Sequence, residues 1–209
     1  MNESAQAFWR EPRPLILASK SSARAALLKQ TRIPFVIEAA DIDERALEAP
    51  LRASGGDARS IAAHLARAKA GVVAKLHPDH LVLGADQTLA LRGRIFAKPA
   101  SRAEAIEQLR VLSGHEHALH SALCVAHAGD ILFESADTAL MQMRPLSEAF
   151  LAAYADLAGP MLTASVGAYQ AEGLGIHLFE RLGGDHSTIL GLPLIPLLAF
   201  LRRNGSLLG

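Results

Sequence analysis

The sequence predicts an α/β fold: a single domain of two lobes around a central mixed β-sheet, with an active-site cleft between them. Three observations carry this prediction. Short apolar runs alternate with helix-forming segments through the first half, which is typical of strands and helices packed in layers. Two longer runs, 116–127 and 131–143, predict paired antiparallel strands. The 209 residues, 50% of them apolar, are enough to build one such core.

The first half is predicted to contain three strands, at 15–18, 35–38 and 81–85, and three helices, at 23–30, 58–75 and 101–112. The clearest helix is 58–75, because Ile61, Leu65 and Val72 recur on one face at helical spacing. Gly93 favours a hairpin turn after the third strand. Ser101 is a typical N-cap for the third helix.

The second half of the chain has longer predicted strands than the first. Residues 128–130 are predicted to join the two long strands, and Ser147 to begin a helix. A strand is expected near 176–180 and a last helix from about 193 to 203, after a glycine-rich stretch at 167–175. We expect the domain to span 14–203, with 1–13 as an N-terminal extension.

Composition narrows the class of protein. Lysine plus arginine equal aspartate plus glutamate at 21 each, so the chain has no global field for a polyanion and nucleic acid is not an expected partner. No apolar window approaches the roughly 18 residues of a membrane span. The single cysteine, Cys124, excludes an intrachain disulfide and is expected to be a buried, inert thiol. The start lacks a secretion-signal pattern, so we expect a cytoplasmic protein.

A candidate anion site follows the first predicted strand. Ser19, Ser21 and Arg24 stand between that strand and the next helix. A helix N-terminus presents free N–H groups and a favourable dipole to an anion, and hydroxyls and a guanidinium add donors for phosphate oxygens. The alternative is a serine N-cap on an ordinary surface helix, with Arg24 solvated.

Acidic side chains supply candidate metal ligands or bases. Asp41, Asp43 and Glu44 follow the second strand but lack the glycine and distal glutamate of an EF-hand, so a calcium site is rejected. Asp41 and Asp43 are expected in a solvated loop, and the sequence alone leaves the role of Glu44 undecided. Asp86 ends the apolar run 81–85 and would be partly desolvated, which fits a base or a metal ligand. The alternative for Asp86 is a capping residue.

Two lysines and the histidines complete the candidates. Lys69 flanks the apolar face of the 58–75 helix and can extend towards a cleft. Lys98 precedes a proline, which holds it in an extended conformation. Each lysine alone is more typical of solvated surface. His115 and His117 have the spacing of one strand face, but the cysteine pair or His-Glu-x-x-His pattern of a zinc site is missing.

These clusters together resemble the Maf family of nucleoside triphosphate pyrophosphatases over nearly the whole chain. The segments that carry the resemblance are Leu-Ala-Ser19-Lys-Ser21-Ser-Ala-Arg24, Asp43-Glu44, Ala-Arg-Ala-Lys69-Ala, Gly-Ala-Asp86-Gln87, Ala-Lys98-Pro99, Leu-Ser-Gly114, Arg144-Pro-Leu-Ser, Gly167-Ala-Tyr-Gln-Ala-Glu172-Gly and Leu190-Gly-Leu-Pro-Leu. Each is short, and their common order and spacing are what make the resemblance specific.

The resemblance implies a Maf/ITPase-like fold and hydrolysis of a nucleoside triphosphate between its α- and β-phosphates. It implies a divalent metal, Mg²⁺ with Mn²⁺ as the alternative, held by Asp86 and Glu44. It also suggests a homodimer. Catalytic roles carry over to Asp86, Glu44 and Lys98. Substrate binding carries over to Ser19, Ser21, Arg24, Lys69, Gln87 and Glu172.

Gln87 and Glu172 resemble the branch of the family that acts on 7-methyl-GTP. Members that act on dTTP and UTP usually have threonine and glutamine at these positions. A carboxylate at Glu172 can accept from the guanine N1–H and N2–H groups and suits a cationic methylated ring. The pair Ser22-Ala23 departs from the Pro-Trp of that branch. The alternatives are a dTTP/UTP pyrophosphatase and a non-catalytic nucleotide-binding regulator of cell division.

Overall fold

A computed structural model of the protein describes residues 8–209, so residues 1–7 of the expected extension lie outside it. The strands are β1 (Leu15–Leu17), β2 (Phe35–Ile37), β3 (Leu81–Leu91), β4 (Arg94–Phe96), β5 (Glu116–His127), β6 (Asp130–Met143) and β7 (Phe179–Gly183). The α-helices are α1 (Ser22–Gln30), α2 (Glu44–Ala53), α3 (Ala58–Leu76), α4 (Arg102–Leu112), α5 (Glu148–Ala158), α6 (His186–Ile189) and α7 (Leu194–Arg203).

The strands form one seven-stranded mixed sheet in the order β2-β1-β3-β5-β6-β7, with β4 paired to β3. β1 runs parallel to β2 and β3, and the remaining pairs are antiparallel. Because successive side chains of a strand point to opposite faces, Leu15 and Leu17 pack in one core cluster with α1 and α7. Ile16 packs in another, with α3. The predicted α/β class and mixed sheet are confirmed.

The strand β3 links the two lobes. Its first half, with Leu83 and Ala85, belongs to the core under α1 and α7. Its last residues, Leu89 and Leu91, pack in a third cluster with α4 and α5. The residues between these halves lie where the two lobes meet, and this is where the cleft opens.

Gly84 sets the distance between α3 and the sheet. A Cβ atom there would lie 2.2 Å from the Ala66 carbonyl oxygen and 2.6 Å from the Ala70 nitrogen, so only glycine lets the two backbones meet this closely. Two and four residues further on, on the same face of β3, Asp86 contacts α3 and Thr88 donates a hydrogen bond of 2.8 Å to the Ala58 carbonyl.

The structure corrects three expectations about the elements. The third strand continues past residue 85 to Leu91, because β5 pairs with it from Leu81 to Ala90 and satisfies its backbone through the polar positions. The strand expected near 176–180 starts at Phe179, after a 3₁₀ turn at Leu174–Leu178. α2 is an additional helix that was not predicted; Leu47 and Leu51 on one face of it are only half-buried, and none of its side chains is fully buried.

Other expectations are met. The hairpin turn has Arg92 and Gly93 both at positive φ, and Ser101 caps α4 by accepting from the Glu104 N–H. Cys124 is buried and unbonded, and burial raises the pKa of its thiol to about 12. None of the helices in residues 8–209 combines the length and apolarity that a membrane crossing requires.

Candidate active site

All the predicted site residues line one cleft of about 510 Å³. They come from distant parts of the chain: Ser19, Ser21, Arg24, Glu44, Lys69, Asp86, Gln87, Lys98 and Glu172. A second cavity, of about 460 Å³ between α4 and the end of α5, contains none of them. Its Arg102 pairs with Asp156 at 2.5 Å. The first cavity is therefore the candidate site, and we refer to it as the cleft.

A lysine joins two carboxylates in the cleft. The Nζ atom of Lys69 lies 2.6 Å from Asp86 Oδ1 and 2.8 Å from Glu44 Oε1. Lys69 and Asp86 are buried, while half of the Glu44 side chain is exposed. Lys69 thus lies on the buried face of α3 rather than beside it, because small alanines on that face let the helix lie against β3. The positive charge of Lys69 is thereby held between two acids at the wall of the cleft.

Asp86 has the most perturbed environment of these acids. Burial raises the pKa of its carboxyl above the usual value, and the charge of Glu44 adds to this. The positive charges of Lys69 and Arg24 act in the opposite direction. A carboxylate of raised basicity that is open to a cleft is suited to accept a proton.

The turn after β1 is both a serine N-cap and a group of polar side chains at the cleft, the two interpretations of its sequence. Ser21 is the N-cap of α1, with its Oγ accepting from the Arg24 N–H at 3.3 Å. Arg24 is not solvated surface: its Nη1 donates to Ser19 Oγ at 3.1 Å and its Nε to the Gly191 carbonyl at 2.8 Å. Burial lowers the pKa of Arg24, and the charges of Asp86 and Glu44 oppose the change. Ser19 accepts twice, which leaves its hydroxyl proton for a ligand.

The remaining predicted residues differ in how they are held. Lys98 follows β4 and is exposed at the cleft, as is Glu172 in the loop before β7. Gln87 is half-buried, and its amide nitrogen donates to the Ser121 hydroxyl at 2.9 Å and to the carbonyls of Thr188 and Ile189 at 3.2 and 3.0 Å.

The contribution of α2 to the cleft was not predicted from the sequence. Arg45, Glu48 and Arg52 of this helix line the cleft, and Arg52 donates to Glu48 through Nε and Nη2 at 3.0 and 2.9 Å. A signal was present: Asp43, expected in a solvated loop, is instead the N-cap of α2 and accepts from the Ala46 N–H at 3.1 Å. An acidic cap followed by a second acidic residue is a helix-start pattern. Asp41 is exposed and outside any element, as expected.

The carboxylates fit a hard divalent cation of the magnesium type. Glu44 and Asp86 already converge on one positive group, the Lys69 ammonium. In residues 8–209 no group of three or more histidine, cysteine or acidic side chains is arranged to hold a metal ion. Mg²⁺ is usually bound by one or two carboxylates together with water and substrate phosphates, and Glu44 and Asp86 are two carboxylates that could take this part.

Fold and cleft together define a two-lobed α/β protein with a polar site suited to a phosphorylated ligand. The chain belongs to the Maf family: the family described as Maf-like protein matches residues 14–204. A nucleoside triphosphate pyrophosphatase of Bradyrhizobium diazoefficiens is 58% identical over 195 residues, which are 93% of this chain and 96% of that protein. A 7-methyl-GTP pyrophosphatase of Rhizobium meliloti is 48% identical, over 92% and 97% of the two chains.

One solved structure is also similar to part of this chain. A HAM1 protein from Coxiella burnetii matches 62% of this chain and 72% of its own, at 17% identity and a TM-score of 0.42. The predicted resemblance to the Maf family is confirmed by the sequence comparisons alone.

Proposed function

We propose that this protein hydrolyses nucleoside triphosphates between the α- and β-phosphates, releasing a nucleoside monophosphate and pyrophosphate. The observation that carries the proposal is the Lys69 ammonium held between Asp86 and Glu44 inside the cleft. Membership of the Maf family and the names of the relatives, nucleoside triphosphate pyrophosphatases at 58% and 56% identity, support it.

Cleaving a phosphoanhydride requires positioning and charge neutralisation more than covalent chemistry. Lys69 and Arg24 carry positive charge into the buried part of the cleft, and Lys98 adds charge at its edge. The free hydroxyl proton of Ser19 can bond a phosphate oxygen. Asp86 is the group that orients the attacking water and takes its proton, since burial raises the pKa of this carboxyl.

Asp86 and Glu44 are the residues that would hold a divalent cation, Mg²⁺ or alternatively Mn²⁺. When bound, such a cation supplies additional neutralising charge to the phosphates. The side chains act around it: Lys69 orients both carboxylates, and Arg24 is held in place by Ser19 and Gly191.

For the nucleobase we propose 7-methyl-GTP as the preferred substrate. Glu172 lines the cleft and is exposed there, and its negative charge suits the cationic methylated ring. The relative named 7-methyl-GTP pyrophosphatase, at 48% identity, supports this assignment. The alternative substrates are dTTP and UTP, and the alternative function is nucleotide binding without turnover. We also propose a cytoplasmic homodimer, and light scattering of the purified protein tests the dimer.

The test of the activity is product analysis on 7-methyl-GTP, GTP, dTTP and UTP with Mg²⁺. Equimolar monophosphate and pyrophosphate are expected, with 7-methyl-GTP the fastest. Inorganic phosphate plus a diphosphate would contradict the proposed bond cleavage. Binding without any turnover would favour the regulator.

The variant Asp86→Asn tests the base. It keeps the shape of the side chain and removes its proton affinity, so turnover should fall by about 10²–10⁴-fold. The matched control is Asp130→Asn, an exposed aspartate at the β5–β6 turn outside the cleft, which should turn over normally. Normal turnover in Asp86→Asn would remove the proposed role of this residue.

A further inference from the structure

Gln87 and Arg24 are attached to the same short turn. Residues 188–191, which we call the 188–191 turn, follow the start of α6 and precede α7. Gln87 donates to the carbonyls of Thr188 and Ile189, and Arg24 donates to the carbonyl of Gly191. The turn is closed on itself by a bond of 3.1 Å from the Gly191 nitrogen to the Thr188 carbonyl. Two residues of the cleft are thereby linked through one piece of backbone.

The orientation of the Gln87 amide is forced by its partners. Backbone carbonyls only accept hydrogen bonds, so the NH₂ group must face them. Its third partner, the Ser121 hydroxyl, gives its own proton to the Thr188 carbonyl at 2.7 Å and therefore also accepts. Two N–H bonds thus face three acceptors of the protein. No donor of Gln87 remains for a nucleobase.

The backbone of the 188–191 turn is restricted at Gly191, where it bonds Arg24. Gly191 has a φ of +92°, a conformation that favours glycine, and a Cβ there would lie 3.4 Å from Arg24 Nε and 3.6 Å from Gln87 Cδ. On its other side the guanidinium is held by Ser19 Oγ. A shift of the 188–191 turn therefore moves the Arg24 side chain, and Gln87 is the β3 side chain that hydrogen-bonds this turn, beside Ser121 of β5.

We infer that Gln87 is a positioning residue, which acts on Arg24 through the 188–191 turn rather than by donating to the nucleobase. The inference rests on the proposed function in one respect: the group being positioned is the arginine that faces the triphosphate. The expectation that Gln87 binds substrate directly stays a prediction, which the experiments below separate from positioning.

A double-mutant cycle tests this inference. Arg24→Ala should lower kcat/KM by about 10²–10³-fold, the size expected for losing a charged donor to the transition state. Gln87→Leu, similar in size but without the amide, should lower it by about tenfold, which is ~1.4 kcal/mol. If Gln87 acts through Arg24, the double variant should equal Arg24→Ala alone.

The ratio of kcat/KM between 7-methyl-GTP and GTP is a second readout. Positioning of Arg24 affects the phosphates, so Gln87→Leu should leave this ratio unchanged. Gly191→Ala changes the same turn at the residue whose carbonyl bonds Arg24, and it should lower kcat/KM to a similar extent. The matched control is Gln142→Leu on β6, outside the cleft, whose amide also donates to a backbone carbonyl. It should be indistinguishable from wild type.

Two results would overturn the inference: effects of Gln87→Leu and Arg24→Ala that multiply, or a changed ratio between the two nucleotides. Thermal unfolding of each variant separates misfolding from mispositioning. If Gln87→Leu does not fold, the cycle is run with Gly191→Ala against Arg24→Ala. If the wild type hydrolyses no nucleotide, the proposed function fails. In that case the same double-mutant cycle is measured as affinity for the α,β-methylene analogue of GTP. It then tests the inference independently of turnover.

Discussion

The substitution Gly84→Ala should separate Lys69 from Asp86 without touching either residue. The added Cβ would lie 2.2 Å from the Ala66 carbonyl oxygen, about 1.2 Å inside the 3.4 Å at which ordinary contact begins. The atoms it meets are backbone, which cannot rotate away. The helix α3 must therefore move back from β3 by about 1 Å, carrying Lys69 with it.

The cost has two parts. Overpacking a core typically destabilises a protein by about 1–3 kcal/mol. Lengthening the 2.6 Å contact of two buried charges, Lys69 and Asp86, weakens their pairing and adds to this cost. We expect a loss of about 3 kcal/mol in the free energy of unfolding, which lowers Tm by roughly 6–12 °C at this chain length. A 1 Å displacement in a catalytic site can lower turnover by about 10²-fold.

Denaturant unfolding and kcat/KM for the best nucleotide are the measurements. The matched control is Gly71→Ala in the same helix, where an added Cβ meets nothing within 4 Å. It should stabilise the protein by about 0.5–1 kcal/mol, because alanine is the better helix former. If Gly84→Ala retains wild-type stability and turnover, close packing of α3 on β3 does not set the site geometry.

Two further predictions concern the nucleobase and acid stability. Glu172→Gln should lower the preference for 7-methyl-GTP over GTP by about tenfold, since only the methylated ring is cationic; Glu180→Gln on β7 is the control, and an unchanged preference would contradict the role of Glu172. Burial lowers the pKa of His117 to about 4, so this histidine stays neutral in the fold beside the Tyr169 hydroxyl 2.7 Å away. The contribution of His117 to the free energy of unfolding is full above about pH 6.5 and is lost towards pH 4. As the pH falls, the histidine of the unfolded chain is protonated before that of the folded chain. From about pH 7.5 to 4.5 the wild type should therefore lose roughly 2.5 kcal/mol more than His117→Gln in denaturant unfolding; parallel losses would contradict this.

Local pattern was sufficient where an element is decided by its own residues. The apolar runs at β1, β5 and β6, the Ser101 cap and the turn at Gly93 all appear where expected. Each depends on burial of one run, on one cap or on one positive φ, and these requirements are local. The pieces of the site could also be predicted from sequence, since their residue types suit phosphate and metal chemistry, and the family resemblance specifies their order.

The tertiary structure decided what these residues do to one another. That β3 continues through Asp86 depends on β5, some 30 residues away in sequence. That Lys69 is buried between two acids depends on the close packing of α3 against Gly84. That the Gln87 amide bonds the 188–191 turn depends on contacts about a hundred residues apart. The sequence by itself determined most of the elements and the chemical groups, because these follow from residue type and local spacing. The pairing of charges and the direction of hydrogen bonds were set only by packing, because they require atoms from distant segments to meet.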